Sequence, residues 1–291
     1  MSSISKKEYF EFGPWLTRIG GAEDIPEQFA SVKNEILGGT FMFKIPRNID
    51  RSSAKEGMLL YDVIISIDDV YFKKFTCDGE KVESSNIALK DIVYLQYEIN
   101  LLYGELILAA ESEKVEIIFN TVSSDLIFEV VSFLRKHYVV GKAMIDLDKI
   151  EEKEVEESFL YRSLLIRERA GEKIKIVAYQ PFMELKKGEA TNIRQRLSLY
   201  QEPVLQDSMF LTNGRELGIL TRVKEVKDEI ESDYGYRHTY IPLENIKFLS
   251  MKQDEQLNNL DILRILVNDY EVEVRVGENF AVDALIRLQK R

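Results

Sequence analysis

The sequence predicts a mainly β (α+β) protein of two barrels. Each barrel has about seven antiparallel strands and a C-terminal helix capping it. Three observations carry this. A nine-residue apolar pattern beginning at residue 87 recurs from residue 241. Downstream of each copy, apolar and polar residues alternate strictly, which buries one face of a strand. Each copy then ends in a helical apolar stripe.

The elements follow in chain order. Phe12-Gly-Pro-Trp-Leu16 resembles Tyr179-Gln-Pro-Phe-Met183, and Trp15 and Phe182 are expected to plug the two cores at matching places. Residues 20–57 are an extra stretch of the first copy, with a short helix over 25–37 and then a loop rich in basic residues. Leu60-Tyr-Asp62 and Leu205-Gln-Asp207 each lead into an apolar run. Asp68-Asp69 stands between two strand patterns and reads as a hairpin turn.

The strongest match is Ile87-Ala-Leu-Lys-Asp-Ile-Val-Tyr-Leu95 with Ile241-Pro-Leu-Glu-Asn-Ile-Lys-Phe-Leu249. The runs 106–110 and 260–267 follow. Then come Val115-Glu-Ile117-Ile-Phe119 and Val272-Glu-Val274-Arg-Val276. The spacing between copies has grown by then, which predicts a longer hairpin loop around 268–270. The first helix has Leu126, Val130 and Leu134 in line, with Ile127 and Val131 beside them, and Ser123 or Ser124 as N-cap. The second has Phe280, Ala284 and Leu288 with Leu285, ending on Lys290 and Arg291.

The 291 residues therefore divide into a first domain at 1–140, a charged linker at 141–159 and a second domain at 160–291. Residues 146–157 are highly charged and poor in Gly and Pro, so they read as a short helix or an extended bridge. With 45% apolar and 31% charged residues, the chain has the composition of a folded protein. No stretch suits a secretory signal or a bilayer span, so a cytoplasmic location is expected.

Acids outnumber bases 50 to 39. That excess argues against nucleic acid as a partner, because such binding rests on neutralising phosphates. One cysteine, Cys77, excludes a disulfide framework and most thiolate metal sites. It sits in a turn signal and reads as a bystander thiol. His137 and His238 fall in different copies and make no joint site. His137 suits a helix C-terminal end. The glycine pairs 20–21 and 38–39 match no phosphate-loop pattern. No catalytic constellation, metal site or cofactor is expected.

Short strands followed by one amphipathic helix, in about 130 residues per copy, resemble the pleckstrin-homology-like domain. The chain resembles two such bacterial modules in tandem. Eukaryotic pleckstrin-homology domains usually carry a Trp in the C-terminal helix, whereas Trp15 is the only Trp here, so Phe133 and Leu285 would take that role. The resemblance implies a binding protein. Members that bind phosphoinositides cluster basic residues between the first two strands. Here Lys44, Arg47, Arg51 and Lys55 precede one strand pattern, and Lys73 and Lys74 follow it, a candidate anion site. Arg162, Arg167, Arg169, Lys173 and Lys175 punctuate an apparent hairpin around Ala170-Gly171, and Arg194 and Arg196 form another group. Most of these bases are expected to neutralise adjacent acids.

Tyr234, Tyr236 and Tyr240 share parity on a strand pattern and are candidate partner-binding residues, or rim packing. The favoured reading is a non-enzymatic protein-interaction or scaffold protein. A partner segment would add to a sheet edge or lie in a groove beside a helix, and self-association is the other form of partnership. Two alternatives stand: a peripheral module binding anionic membrane lipid, and an enzyme with a site at the domain interface.

Overall fold

A computed structural model of the chain describes residues 6–55, 57–139, 144–155, 158–185, 203–228, 232–257 and 259–289. Strand accounts for 43% of the chain and helix for 25%, so the mainly-β class holds. Every sheet is antiparallel. None closes into a barrel among the described residues, in place of the two barrels expected. Contacts divide the chain into two units. One is Met1–Ile92 with Leu101–Val140, and the other is Val93–Asn100 with Gly141–Arg291.

The first unit opens with helix α1 (Lys6–Glu11) and β1 (Thr17–Arg18). The expected helix over 25–37 is a 3-10 turn at Glu27–Val32 running into α2 (Lys33–Ile36). Strands β2 (Phe41–Pro46), β3 (Tyr61–Ile67), β4 (Tyr71–Cys77) and β5 (Val82–Ala88) extend a sheet ordered β1–β2–β3–β4–β5. β2 corrects the expectation of a basic loop, because Phe43 and Lys44 are buried within it. Phe29, Ile36, Ile64 and Phe75 form the core on one side of this sheet. The turn at 68–69 stands where expected, with Asp68 accepting from the amides of Val70 and Tyr71. Cys77 is a buried free thiol.

A 3-10 turn (Leu89–Asp91) leads to β6 (Ile92–Asn100), most of which belongs to the second unit. The hairpin of β7 (Tyr103–Ala110) and β8 (Lys114–Asn120) follows. Val115, Ile117 and Phe119 are buried, as the alternation requires. Helix α3 (Ser124–Tyr138) buries the expected stripe of Leu126, Ile127, Val130, Val131 and Leu134. Ser123 does not cap it. Its hydroxyl instead accepts from the Leu16 amide at 2.8 Å.

Gly104 pairs with Phe119, and the Phe119 ring occupies the space a Cβ at 104 would need. Gly104→Ala is therefore expected to cost about 1–2 kcal/mol by overpacking. A thermal melt indistinguishable from wild type would show that the ring moves aside freely.

The second unit contains α4 (Phe159–Arg169), β9 (Lys175–Gln180), β10 (Met183–Glu184), β11 (Pro203–Leu205), β12 (Ser208–Thr212) and β13 (Glu216–Arg222). It continues with β14 (Val226–Asp228), β15 (Tyr236–Pro242), β16 (Ile246–Gln253), β17 (Leu260–Val267), β18 (Tyr270–Gly277) and α5 (Asp283–Gln289). Its main sheet runs β6–β15–β13–β12–β9. Small sheets β10–β11–β14 and β16–β17–β18 accompany it. Because β6 takes the edge of β15, β16 begins a separate sheet.

The repeat is visible at its strongest match. In both copies a strand, a 3-10 turn and a strand follow one another, with Ile87, Leu89 and Ile92 buried in one and Ile241, Leu243 and Ile246 in the other. Several finer expectations are corrected. The longer loop is not at 268–270, where β17 and β18 are joined by a tight turn. It lies one connection earlier, at residues 254–259, where the Asp254 carboxylate accepts from the amides of Gln256 and Leu257. The apparent hairpin around Ala170-Gly171 is the end of a helix. Trp15 and Phe182 plug no core, being 42% and 51% exposed. Their flanking sequences occupy different places, one before the first sheet strand and the other just after β9. Phe280 precedes α5 and packs on Phe210, with ring centres 5.1 Å apart. Phe133 packs on Phe41 and Leu285 is buried in α5. Lys290 and Arg291 lie outside the described residues.

Candidate functional site

Helix α4 explains how one face of the second unit's sheet is covered. Tyr161, Leu164, Leu165 and Glu168 are its buried positions, spaced for one helical face. They meet Ile174, Ile176, Met209, Leu211 and Leu220. In the sheet, Met209 pairs with Leu220, Leu220 with His238, and His238 with Tyr97. A polar end of this face therefore sits under the last turn of α4.

That end is a closed network. The Tyr240 hydroxyl donates to Glu168 Oε1 at 2.7 Å, and His238 Nδ1 lies 3.0 Å from the same hydroxyl. Arg167 Nη2 donates to the Tyr97 hydroxyl at 2.8 Å and lies 3.5 Å from His238 Nε2. The Tyr97 and His238 rings stack at 4.6 Å. Burial pushes the Tyr97 phenol far above its ordinary pKa. Burial also works against the Arg167 charge, but the hydroxyls of Tyr97 and Tyr236 outweigh it and hold the guanidinium up. His238 has no exposed surface and offers nothing to a substrate. The network fastens α4 to the sheet. At the other end of the helix, the Tyr161 hydroxyl donates to the Asp207 carbonyl at 2.6 Å.

The site open to solvent is built on β9. Among the described strands β9 pairs with β12 alone and ends its sheet. Residues 144–155 lie along its outer edge as a strap containing a 3-10 turn, Leu147–Lys149. The Lys153 amide donates to the Ile176 carbonyl at 2.8 Å, and Lys175 Nζ reaches the Ile150 carbonyl at 2.6 Å. Lys173 pairs with Asp148 and Arg169 with Glu152, both at 2.7 Å. The hydrogen bond from Lys173 holds Asp148 below the ordinary carboxylate range. These exposed pairs are weak and salt-screened.

Glycine makes the strap's near end possible. Gly214 has φ +87°, and a Cβ there would stand 2.5 Å from the Ile145 oxygen. The Ile145 amide in turn donates to the Gly214 carbonyl at 2.7 Å.

Between this strap and α5 runs a groove of about 620 Å³. Ile145 and Ile150, with the charged residues 149 and 151–154, line one wall, Val177 the floor, and Ala281, Ala284, Arg287 and Leu288 the other wall. Ala284 on the helix and Ala281 just before it keep that wall low. The geometry suits an extended chain that sets apolar side chains on Val177 and Leu288 and polar ones against the charged rim.

The expected anion site is not assembled. Lys44 is buried over the Tyr61 ring and donates to the Asp24 carbonyl. Arg47 pairs with Asp62, and Lys73 with Asp68. Arg51 donates to the carbonyls of Tyr9, Phe10 and Phe12. Lys55 is exposed on a loop, and Lys74 is half-buried beside Lys73 on β4. Tyr236 and Tyr240 share a face, as expected, but that face is under α4. Tyr240 is 2% exposed, so it belongs to the core network, while Tyr234 precedes the strand and is exposed. Arg169, Lys173 and Lys175 do neutralise neighbouring acids or carbonyls, those of the strap. Arg194 and Arg196 lie outside the described residues.

Sequence reasoning missed Glu168, His238 and Tyr97 as one cluster. The signal for α4 was present, since Tyr161, Leu164, Leu165 and Glu168 repeat at helical spacing. Among the described residues, no group of three or more His, Cys, Asp or Glu is placed to hold a metal ion, and no helix is long and apolar enough to cross a membrane. Comparison with family models, curated proteins and solved structures found no match.

Proposed function

We propose that the chain is a non-enzymatic interaction protein whose second unit binds an extended peptide segment of a partner in the groove between the strap and α5. The groove carries this reading: it sets the Val177 floor against a low helical wall, beside a strand edge that the strap occupies. We further read the two copies as pleckstrin-homology-like domains with opened sheets. The recurring order supports this, with β2–β5, β6–β8 and α3 in one copy and β9, β12, β13, β15, β16–β18 and α5 in the other. An anionic-lipid module is less well supported, because four of the six candidate basic groups are engaged by carboxylates, carbonyls or a ring.

Panning a phage-displayed random peptide library against the purified chain tests the reading. Peptides with a shared apolar pattern are expected to enrich. Ala284→Trp, which fills the groove from a half-buried helix position, is expected to weaken them by about a hundredfold, the loss of a central interface anchor. Its melting temperature should stay near wild type. Failure to enrich, or equal binding to the variant, would sink the proposal.

A further inference from the structure

We propose that the outer edge of β9 and the basic row Arg169, Lys173 and Lys175 form a docking site for an extended acidic segment of a partner protein, and that the strap is its intramolecular stand-in. The inference rests on reading the second unit as a peptide-binding module, and it names the partner's chemistry.

The strap shows what the edge accepts. Its sequence, Asp146-Leu-Asp-Lys-Ile-Glu-Glu-Lys-Glu-Val155, is acidic. It makes the main-chain contact of an added strand, Lys153 amide to Ile176 carbonyl. Its acids meet the row in order: Asp148 on Lys173, and Glu152 on Arg169. Lys175 reads the backbone between them at Ile150. Acidic side chains at both ends of a backbone contact therefore define the partner.

The strap is also built to leave. One backbone bond to β9, the Lys175 bond to the Ile150 carbonyl and exposed, salt-screened pairs hold its middle. Its apolar anchors lie toward the ends, Leu147 buried and Val155 packed against the α4 core. Lifting its middle would merge the strand edge with the groove into one wider trough.

A labelled synthetic peptide of residues 146–155, offered to the full chain at low salt, tests this. Reversing the strap with Asp148→Lys and Glu152→Lys leaves the basic row intact and removes the competitor. This variant is expected to bind the peptide about tenfold more tightly than wild type, because a larger fraction of molecules is binding-competent. Reversing the row with Arg169→Glu and Lys173→Glu is expected to abolish binding, and raised salt to weaken it. Hydrogen exchange of the Lys153 amide provides an independent readout, which should quicken in the strap variant.

Unchanged affinity in the strap variant, unchanged affinity after row reversal, or an unchanged Lys153 exchange rate would each overturn the proposal. If groove-selected phage peptides still bind and lose affinity on Ala284→Trp, only the acidic-partner inference has failed. If those also fail, so has the reading beneath it.

Discussion

Glu168→Leu is expected to lower the unfolding free energy of the second unit by about 3 kcal/mol, the scale of breaking a buried charged network at one member. Glu168 Oε1 receives the Tyr240 hydroxyl at 2.7 Å and faces His238 Nδ1 at 3.4 Å. A leucine there removes the acceptor and leaves the polar partners in an apolar setting. Glu168→Gln keeps an acceptor oxygen and should cost about 1 kcal/mol. Because Trp15 lies in the first unit, tryptophan fluorescence would miss the effect. Urea unfolding followed by hydrogen exchange of the β15 amides would report it. Equal losses for Leu and Gln would show that an acceptor oxygen at position 168 is not what fastens α4.

The second large effect is pH-dependent. Asp254 is buried in the 254–259 loop, and Arg275 Nε donates to its Oδ2 at 2.8 Å. Burial alone would raise its pKa, but the amides of Gln256 and Leu257 and the Arg275 guanidinium outweigh that and hold it below its ordinary value. The unfolded chain therefore binds the proton more readily than the folded one. The carboxylate's contribution is fully present above the unfolded value, near 4, and is lost as pH falls through the folded value. Asp254→Asn is expected to cost about 2 kcal/mol at pH 7, the scale of a charge-assisted hydrogen bond. The gap between variant and wild type should close as the pH drops below about 4. Urea titrations at several pH values check this, and a gap constant down to pH 3 would rule out ionisation as the cause.

The repeat was legible because it is written in side chains that alternate or recur at fixed spacing. Val115, Ile117 and Phe119 needed only the period of a strand. The stripe of α3 needed only the period of a helix. Helix α4 was equally periodic, but it ended on the charged Glu168 and displayed Phe159 and Ile166 outward, so charge and exposure disguised its buried face. The extra loop at 254–259 was placed one connection too late. The count of residues between anchors shows that a loop has lengthened, not which one.

The candidate site was legible in kind. The acidic bridge and the basic run both stood out, and neutralisation of adjacent acids was foreseen. What was hidden is that the bridge is the acid those bases meet, since Asp148 and Lys173 are 25 residues apart.

By itself, then, the sequence determined what depends on local period and composition: a mainly antiparallel β chain, a recurring strand–turn–strand pattern, buried stripes on α3 and the closing strands, and an acidic excess. Tertiary structure alone decided where charged and polar side chains went. Lys44 turned inward and Tyr240 became core. β6 joined the second unit's sheet, and the strap settled on β9. Burial of a polar group is favourable only when a partner from elsewhere in the chain arrives with the right atom at hydrogen-bonding distance. That condition is set by packing and carries no period that a sequence can display.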